Sequence, residues 1–351
     1  MSNEMSFVIQ KLQSYQGRKI KIMEVCGTHT SSIFKNGIRD LISPQIELIS
    51  GPGCPVCVTK ASYIDELIQY AHAPNTVVLT FGDMMKVKGT RENLTQTVAS
   101  GGKVEILYSP LMAIERAVTN PETEFIFAAV GFETTLPIYG LLLEEITKRE
   151  LQNLKLLTAT KKMMPALEYI CQTATNIDGF LCPGHVSVIT GSDCFEKLCK
   201  TYQKPFVVAG FEGEHILVAI YEILQQIEQD QPQVTNCYTN AVSAKGNEKA
   251  QKMMERFFET KDGYWRGIGW ISNSEFVIRK EYQRYCANLN QEIIEEKMPD
   301  GCQCANVILG QIQPSQCPLF GSLCTPEDAV GPCMVSAEGV CGIWYKNRRN
   351  R

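Results

Sequence analysis

The chain has 351 residues, an apolar fraction of 44% and a formal net charge of -4. That is the composition of a soluble globular protein too long for one hydrophobic core of ordinary size, so two or three domains are expected. Lys and Arg are scattered, which excludes a phosphate-tracking surface for nucleic acid and a basic face for an anionic membrane. Fifteen cysteines, an odd number, do not suit a fully paired secreted framework. Met1 to Lys21 has no apolar core of signal-peptide type, and no stretch is long enough to span a bilayer. A cytoplasmic protein with mostly reduced thiols is expected.

In chain order, short β-branched or apolar runs predict strands at Lys21–Val25, Ile46–Ile49, Thr76–Thr80, Val104–Leu107, Phe125–Val130, Lys155–Thr158, Gly179–Leu181 and Phe206–Ala209. Helical stretches such as Tyr63–Tyr70, Leu136–Arg149 and Pro165–Thr175 alternate with them, which reads as βαβ units around parallel sheets with both faces covered. From Asn240 this regularity is lost, and a third, irregular and mainly helical domain is expected from near Glu214.

The residues after each strand carry the chemistry. In open α/β sheets the loops at the carboxyl ends of the strands share one side, where ligands bind. Cys26-Gly-Thr-His29-Thr follows the first strand, where Thr28 or Thr30 would cap the next helix and leave Cys26 within reach of His29. This reads as a Cys–His nucleophile, a soft-metal ligand beside an imidazole, or simply a buried cysteine. Cys54-Pro-Val-Cys57 follows the second strand; at a helix start it suits disulfide exchange or metal ligation, with half of a zinc knuckle as the bland reading. Phe-Gly-Asp83-Met-Met follows the third. Glu133-Thr-Thr and Gly184-His185-Val-Ser187 offer carboxylate, imidazole and hydroxyl at neighbouring sheet ends, for binding, proton relay or mere capping. Gly-Phe-Glu occurs at Gly131–Glu133 and again at Gly210–Glu212, a faint duplication or a coincidence.

Near the C-terminus Cys317, Cys324, Cys333 and Cys341 are separated by six, eight and seven residues and flanked by Pro318, Pro326 and Pro332. Thiolates gathered in this way repel one another unless a cation neutralises them. The loose spacing suits an iron–sulfur cubane better than the tight knuckles of zinc sites, although zinc stays open. Cys302 and Cys304 lie close by, either as substitute ligands or as packing residues. Cys171, Cys194, Cys199, Cys237 and Cys286 read as packing residues. With four histidines in the chain a His-rich catalytic metal site is disfavoured, and no phosphate-binding glycine loop is present.

Taken together, Glu-Val-Cys26-Gly-Thr-His29-Thr, Gly-Pro-Gly-Cys54-Pro-Val-Cys57-Val-Thr, Phe-Gly-Asp-Met-Met, Gly-Phe-Glu-Thr-Thr, Cys-Pro-Gly-His185-Val-Ser and Gly-Pro-Cys333-Met-Val-Ser-Ala-Glu-Gly resemble the HypD family, from Lys21 to Tyr345 and in order. The resemblance implies an α/β domain over residues 20–116, a second over 117–214 facing it across a cleft, and a third, made of 1–19 and 215–351, holding a [4Fe-4S] cluster on Cys317, Cys324, Cys333 and Cys341. It implies a scaffold for nickel–iron hydrogenase maturation, on which an iron carrying cyanide and CO ligands is assembled with a HypC-type chaperone. A HypE-type donor would deliver cyanide, and the hydrogenase large subunit would be the indirect recipient. Cys26 would help hold the iron, Cys54 and Cys57 would be redox-active or metal-binding, and His29, His185 and Glu133 would complete the site. Such a scaffold need not turn over like a conventional enzyme. In two places the chain departs from the family pattern. Gly210-Phe-Glu-Gly-Glu-His215 replaces Gly-Phe-Glu-Pro-x-Asp, and Lys-Val-Lys-Gly after Met85 replaces Arg-Val-Pro-Gly. The alternatives are an iron–sulfur-dependent thiol–disulfide oxidoreductase, which gives Cys26 and His29 no task, and a zinc-stabilised interaction protein.

Overall fold

A computed structural model describes residues 3–174, 176–287, 296 and 298–348, so the end of the expected helix at Thr175 lies outside the described residues. Eleven strands are described: β1 (Ile20–Glu24), β2 (Ile46–Ser50), β3 (Thr76–Thr80), β4 (Val104–Ile106), β5 (Glu124–Gly131), β6 (Leu154–Lys161), β7 (Gly179–Pro183), β8 (Phe206–Ala209), β9 (Val234–Asn236), β10 (Phe258–Trp265) and β11 (Gly269–Ile278). They form two sheets, with orders β2-β1-β7-β8-β9 and β10-β11-β6-β5-β3-β4. The chain divides into two compact units. One comprises Met1–Cys54, Ala166–Glu248 and Asp300–Arg351; the other comprises Pro55–Pro165 and Lys249–Pro299.

All eight expected strands form, but the partition of the chain differs from the expected one. The first four are shared between the sheets, with β1 and β2 in the first and β3 and β4 in the second, and the next four are shared likewise. Residues 249–299 complete the second unit and 300–351 belong to the first, rather than making one C-terminal body. Alternating strands and helices identify βαβ units but carry no label for which unit pairs with which.

The first sheet is parallel throughout. One face is covered by the helices Asn3–Ser14 and Gly213–Gln229, whose Met5, Val8, Leu12, Ile216, Ile220 and Ile223 pack with Ile20, Ile22, Leu48, Leu181 and Val207. Alternation along β7 turns Phe180 and Cys182 to the opposite face, where Phe180, Phe206 and Phe195 stack.

In the second sheet β4, β3, β5 and β6 are parallel, and β11 and β10 extend it antiparallel beyond β6. This hairpin is the part that periodicity misses. Glu259 to Asp262 are exposed, a charged run of low strand propensity, and the register shifts between Lys261 and Gly263. It is joined to the core by a buried ion pair, Lys161 Nζ to Glu275 at 3.2 Å, with Lys161 also donating to the Tyr264 carbonyl at 2.9 Å. Removing one partner of such a pair strands the other, so Lys161→Ala is expected to cost about 3–5 kcal/mol. Lys161→Met combined with Glu275→Leu should recover most of that loss, and urea midpoints of the three proteins check both statements.

Candidate metal and thiol site

From the gap between β1 and β7 the chain winds outward in opposite directions, to β2 on one side and to β8 and β9 on the other. That is the topological switch point of the first sheet, and the loops leaving β1 and β7 flank its crevice. They carry Cys26-Gly-Thr-His29 and Gly184-His185.

Cys26, with extended backbone (φ -152°, ψ 126°), is itself the N-cap of the helix Gly27–Lys35, so neither expected threonine fills that place. The amides of Thr28 and His29 face its sulfur and favour thiolate, but burial outweighs them and pushes the thiol up to about 11. Thr30 turns back instead, its hydroxyl 2.7 Å from both carboxylate oxygens of Glu24. Burial pushes the Glu24 carboxyl up to about 7 against the hydrogen bonds from Ser50 and Thr30.

His29 is fully buried, and burial drives it down to about 4. Its Nε2 lies 3.0 Å from the Gly210 carbonyl. Since a carbonyl only accepts, the neutral ring carries its hydrogen on Nε2 and presents a lone pair at Nδ1. Among the described residues that buried Nδ1 has no partner. The helix holds the loop after β8 a second time through Ser32, whose hydroxyl donates to the Phe211 carbonyl at 2.5 Å. Phe211 in turn packs on both imidazoles, with ring centroids 4.8 Å from His29 and 4.0 Å from His185. Burial also lowers His185. The loops after β1, β7 and β8 thus meet on one phenylalanine.

Cys54 and Cys57 are disulfide-bonded. The pair opens only a short 3-10 helix, Val56–Val58 with Pro55 as its N-cap, and the α-helix begins later, at Ala61 with Lys60 as its N-cap. What the loop does instead is lie on the first. A side-chain carbon added to Gly53 would fall 2.6 Å from Cys26 Cα and 2.7 Å from the Gly27 nitrogen, so only glycine permits this approach.

The C-terminal segment of the same unit packs on the Cys26 helix. Trp344 meets Phe34 edge-on, with ring centroids 5.1 Å apart, and Arg39 lies over both rings. A side chain on Gly27 would strike the Glu338 carbonyl at 2.4 Å. Six thiols gather here rather than four. Cys304 and Cys341 hydrogen-bond with Cys333 and, with burial, raise it well above the usual thiol range. Cys304 and then Cys333 hydrogen-bond to Cys341 and hold it down to about 6, against burial and the fields of Cys324 and Cys317. Cys302 and Cys304 both crowd Gly331, 2.6 Å from where a side-chain carbon would stand, and the amides of Gly331 and Val330 face the Cys324 sulfur. Among the described residues no three ligand side chains already surround a single-ion position. Even so, thiols in excess of four, amides directed at sulfur and a shell of Val307, Ile308, Met334, Val340 and Ile343 suit a thiolate-held cluster. The Cys-x-Cys spacing of 302 and 304 was the sequence signal for the two extra thiols.

Glu133 and His185, expected at neighbouring sheet ends, belong to different sheets: Glu133 follows β5 in the second. Its Oε1 accepts the Met163 amide at 2.8 Å, whereas Oε2 is buried without a partner among the described residues. Burial pushes this carboxyl up to about 7 against the pull of the Glu133 and Met163 amides and Lys162. In the first unit burial, and after it the fields of Cys194, Cys171 and Cys199, raise the Cys182 thiol.

Fold and site together define an α/β protein of two parallel-sheet units, with a thiol at one switch point and a nest of cysteines packed beside it. The HypD profile, described as the hydrogenase formation hypA family, matches residues 3–348, and the chain belongs to that family. It is 41% identical over 333 residues to a protein of Methanocaldococcus jannaschii provisionally named for hydrogenase expression and formation, covering 94% of this chain and 93% of that one. It is 38% identical over 336 residues to the hydrogenase maturation factor HypD of Escherichia coli, covering 95% and 90%. To HypD of Azotobacter vinelandii it is 36% identical over 347 residues, covering 95% and 91%. The chain is therefore a hydrogenase maturation factor, and none of its described helices is long and apolar enough to cross a membrane.

Two outcomes check this geometry. Gly53→Ala should destabilise the protein by about 1–3 kcal/mol through overpacking, while Gly82→Ala, whose added carbon meets nothing nearer than 3.9 Å, should leave the thermal melt unchanged. Between pH 4.5 and about 7 the folded protein holds the Glu133 proton and the unfolded chain does not, so its stability falls as pH rises. Glu133→Gln removes that slope and should gain about 3 kcal/mol on wild type from acid to alkaline pH, measured as urea unfolding free energy; equal slopes would contradict it.

Proposed function

We propose that the chain is the scaffold on which an iron ion receives cyanide and CO before transfer towards a nickel–iron hydrogenase large subunit, in complex with a HypC-type chaperone and supplied by a HypE-type cyanide donor. The observation that carries the proposal is the placing of Cys26 at the switch point, with His29 one turn along its helix and Gly53, the residue before Cys54, laid on its backbone. The iron is the cargo. A buried thiol of high pKa stays protonated until a soft cation displaces its proton, so Cys26 is inert without iron and a strong ligand with it. His29 cannot store that proton at neutral pH, since burial keeps its ring neutral; its Nδ1 lone pair accepts a hydrogen bond instead. Phe211, beneath both imidazoles, fixes their planes and keeps water from this side.

Cys317, Cys324, Cys333 and Cys341 would hold a [4Fe-4S] cluster, with Cys304 or Cys302 able to replace one of the four; when bound it supplies single electrons. Reducing the Cys54–Cys57 disulfide takes two electrons and two protons and frees two further thiols, that of Cys54 one residue beyond the Gly53 contact with Cys26. Glu133 offers the second unit a buried carboxyl for a ligand with N–H or O–H donors.

The oxidoreductase alternative uses the same disulfide but does not need Cys26. Hydrogenase activity in cells lacking their own family member separates the two. Cys26→Ala and Cys54→Ala should each abolish activity, and His29→Gln should lower it at least tenfold; activity that survives Cys26→Ala would overturn the scaffold reading.

A further inference from the structure

Glu24 is the last residue of β1, the strand flanked by β2 and β7, and it is 1% exposed. A carboxylate there is costly unless it is fully satisfied. Its partners come from the two thiol-bearing loops. The Thr30 hydroxyl, one turn into the helix that Cys26 caps, lies 2.7 Å from each oxygen. The Ser50 hydroxyl, at the end of β2 and four residues before Cys54, donates to Oε1 at 2.5 Å. The Cys26 amide also faces the carboxylate, and the Arg39 charge favours its ionised form. The Glu24 carbonyl accepts the Gly51 amide at 2.7 Å.

One side chain therefore ties the start of the Cys26 helix to the start of the Cys54 loop, immediately below the point where Gly53 lies on Cys26. Nothing in the expected chemistry of iron, cyanide or disulfide calls for a carboxyl group at this depth, and each of its four neighbours can donate to an acceptor oxygen. We infer that Glu24 is a positioning residue: it sets the thiol of Cys26 against that of Cys54, so that both address one substrate. This rests on the reading of Cys26 as an iron ligand for its purpose, though not for its geometry.

The geometry can be read without iron. In the full-length Cys57→Ser protein, Cys54 has lost its usual partner, and oxidised glutathione can drive a Cys26–Cys54 disulfide with release of two reduced glutathiones. The glutathione ratio at half-formation, mapped by mass spectrometry, reports the effective concentration of one thiol at the other. With Glu24 present the disulfide should form. Glu24→Ala should lower that effective concentration at least tenfold, and Glu24→Gln, which keeps length and an acceptor oxygen, should restore most of it. A shift below twofold in a Glu24→Ala protein that still melts cooperatively, or no Cys26–Cys54 disulfide with Glu24 present, would overturn the inference. If Glu24→Ala does not fold, Ser50→Ala, which removes one tether, should give a partial decrease, and its absence would count against the inference equally. Hydrogenase activity that survives Cys26→Ala would sink the iron reading while leaving the tether intact.

Discussion

The site depends on a close approach of two backbones. The loop after β1 and the loop after β2 touch where Gly53 lies on Cys26 and Gly27, with no room for a side chain between them. Parallel pairing of β1 and β2, in register from Ile20 with Ile46 to Glu24 with Ser50, brings the loops to the same edge. Glycine lets them meet, and the buried Glu24 carboxylate joins their starting points. The C-terminal cysteine segment then closes on the same helix, because Gly27 has no side chain to hold Glu338 away.

Desolvation is the common electrostatic theme. It keeps Cys26 a thiol, His29 a neutral imidazole and Glu24 within reach of its protonated form. A crevice whose thiol and imidazole carry no charge at neutral pH is a poor trap for ordinary ions and a good one for a soft cation able to displace a thiol proton. In the cysteine nest the balance reverses at Cys341, where two neighbouring thiols stabilise a thiolate.

Much of this was legible in the residues. Eight β-branched runs mark eight strands, since a strand buried on both faces needs an unbroken apolar run, and the polar motifs behind them fall at carboxyl ends as parallel topology requires. The β10–β11 hairpin was not legible, because its exposed Glu259, Thr260, Lys261 and Asp262 mimic a loop. Nor was the interleaving of strands between two sheets, which long-range pairing decides and local pattern does not record. Glu24 was visible only as the residue before Val-Cys; its burial among hydroxyls is a tertiary fact. Cys304 read equally as a substitute ligand or a packing residue, and only folding sets it against Cys333 and Cys341. Glu133 and His185 looked like neighbours because both follow strands, but each follows a strand of a different sheet.

The most direct test of the central claim is Mössbauer spectroscopy on protein made with enriched iron and isolated anaerobically with its small chaperone. A four-iron cluster signal is expected together with a separate low-spin iron, the second lost in Cys26→Ala and the first retained. A low-spin iron that survives Cys26→Ala, or none at all in a complex competent for maturation, would contradict it.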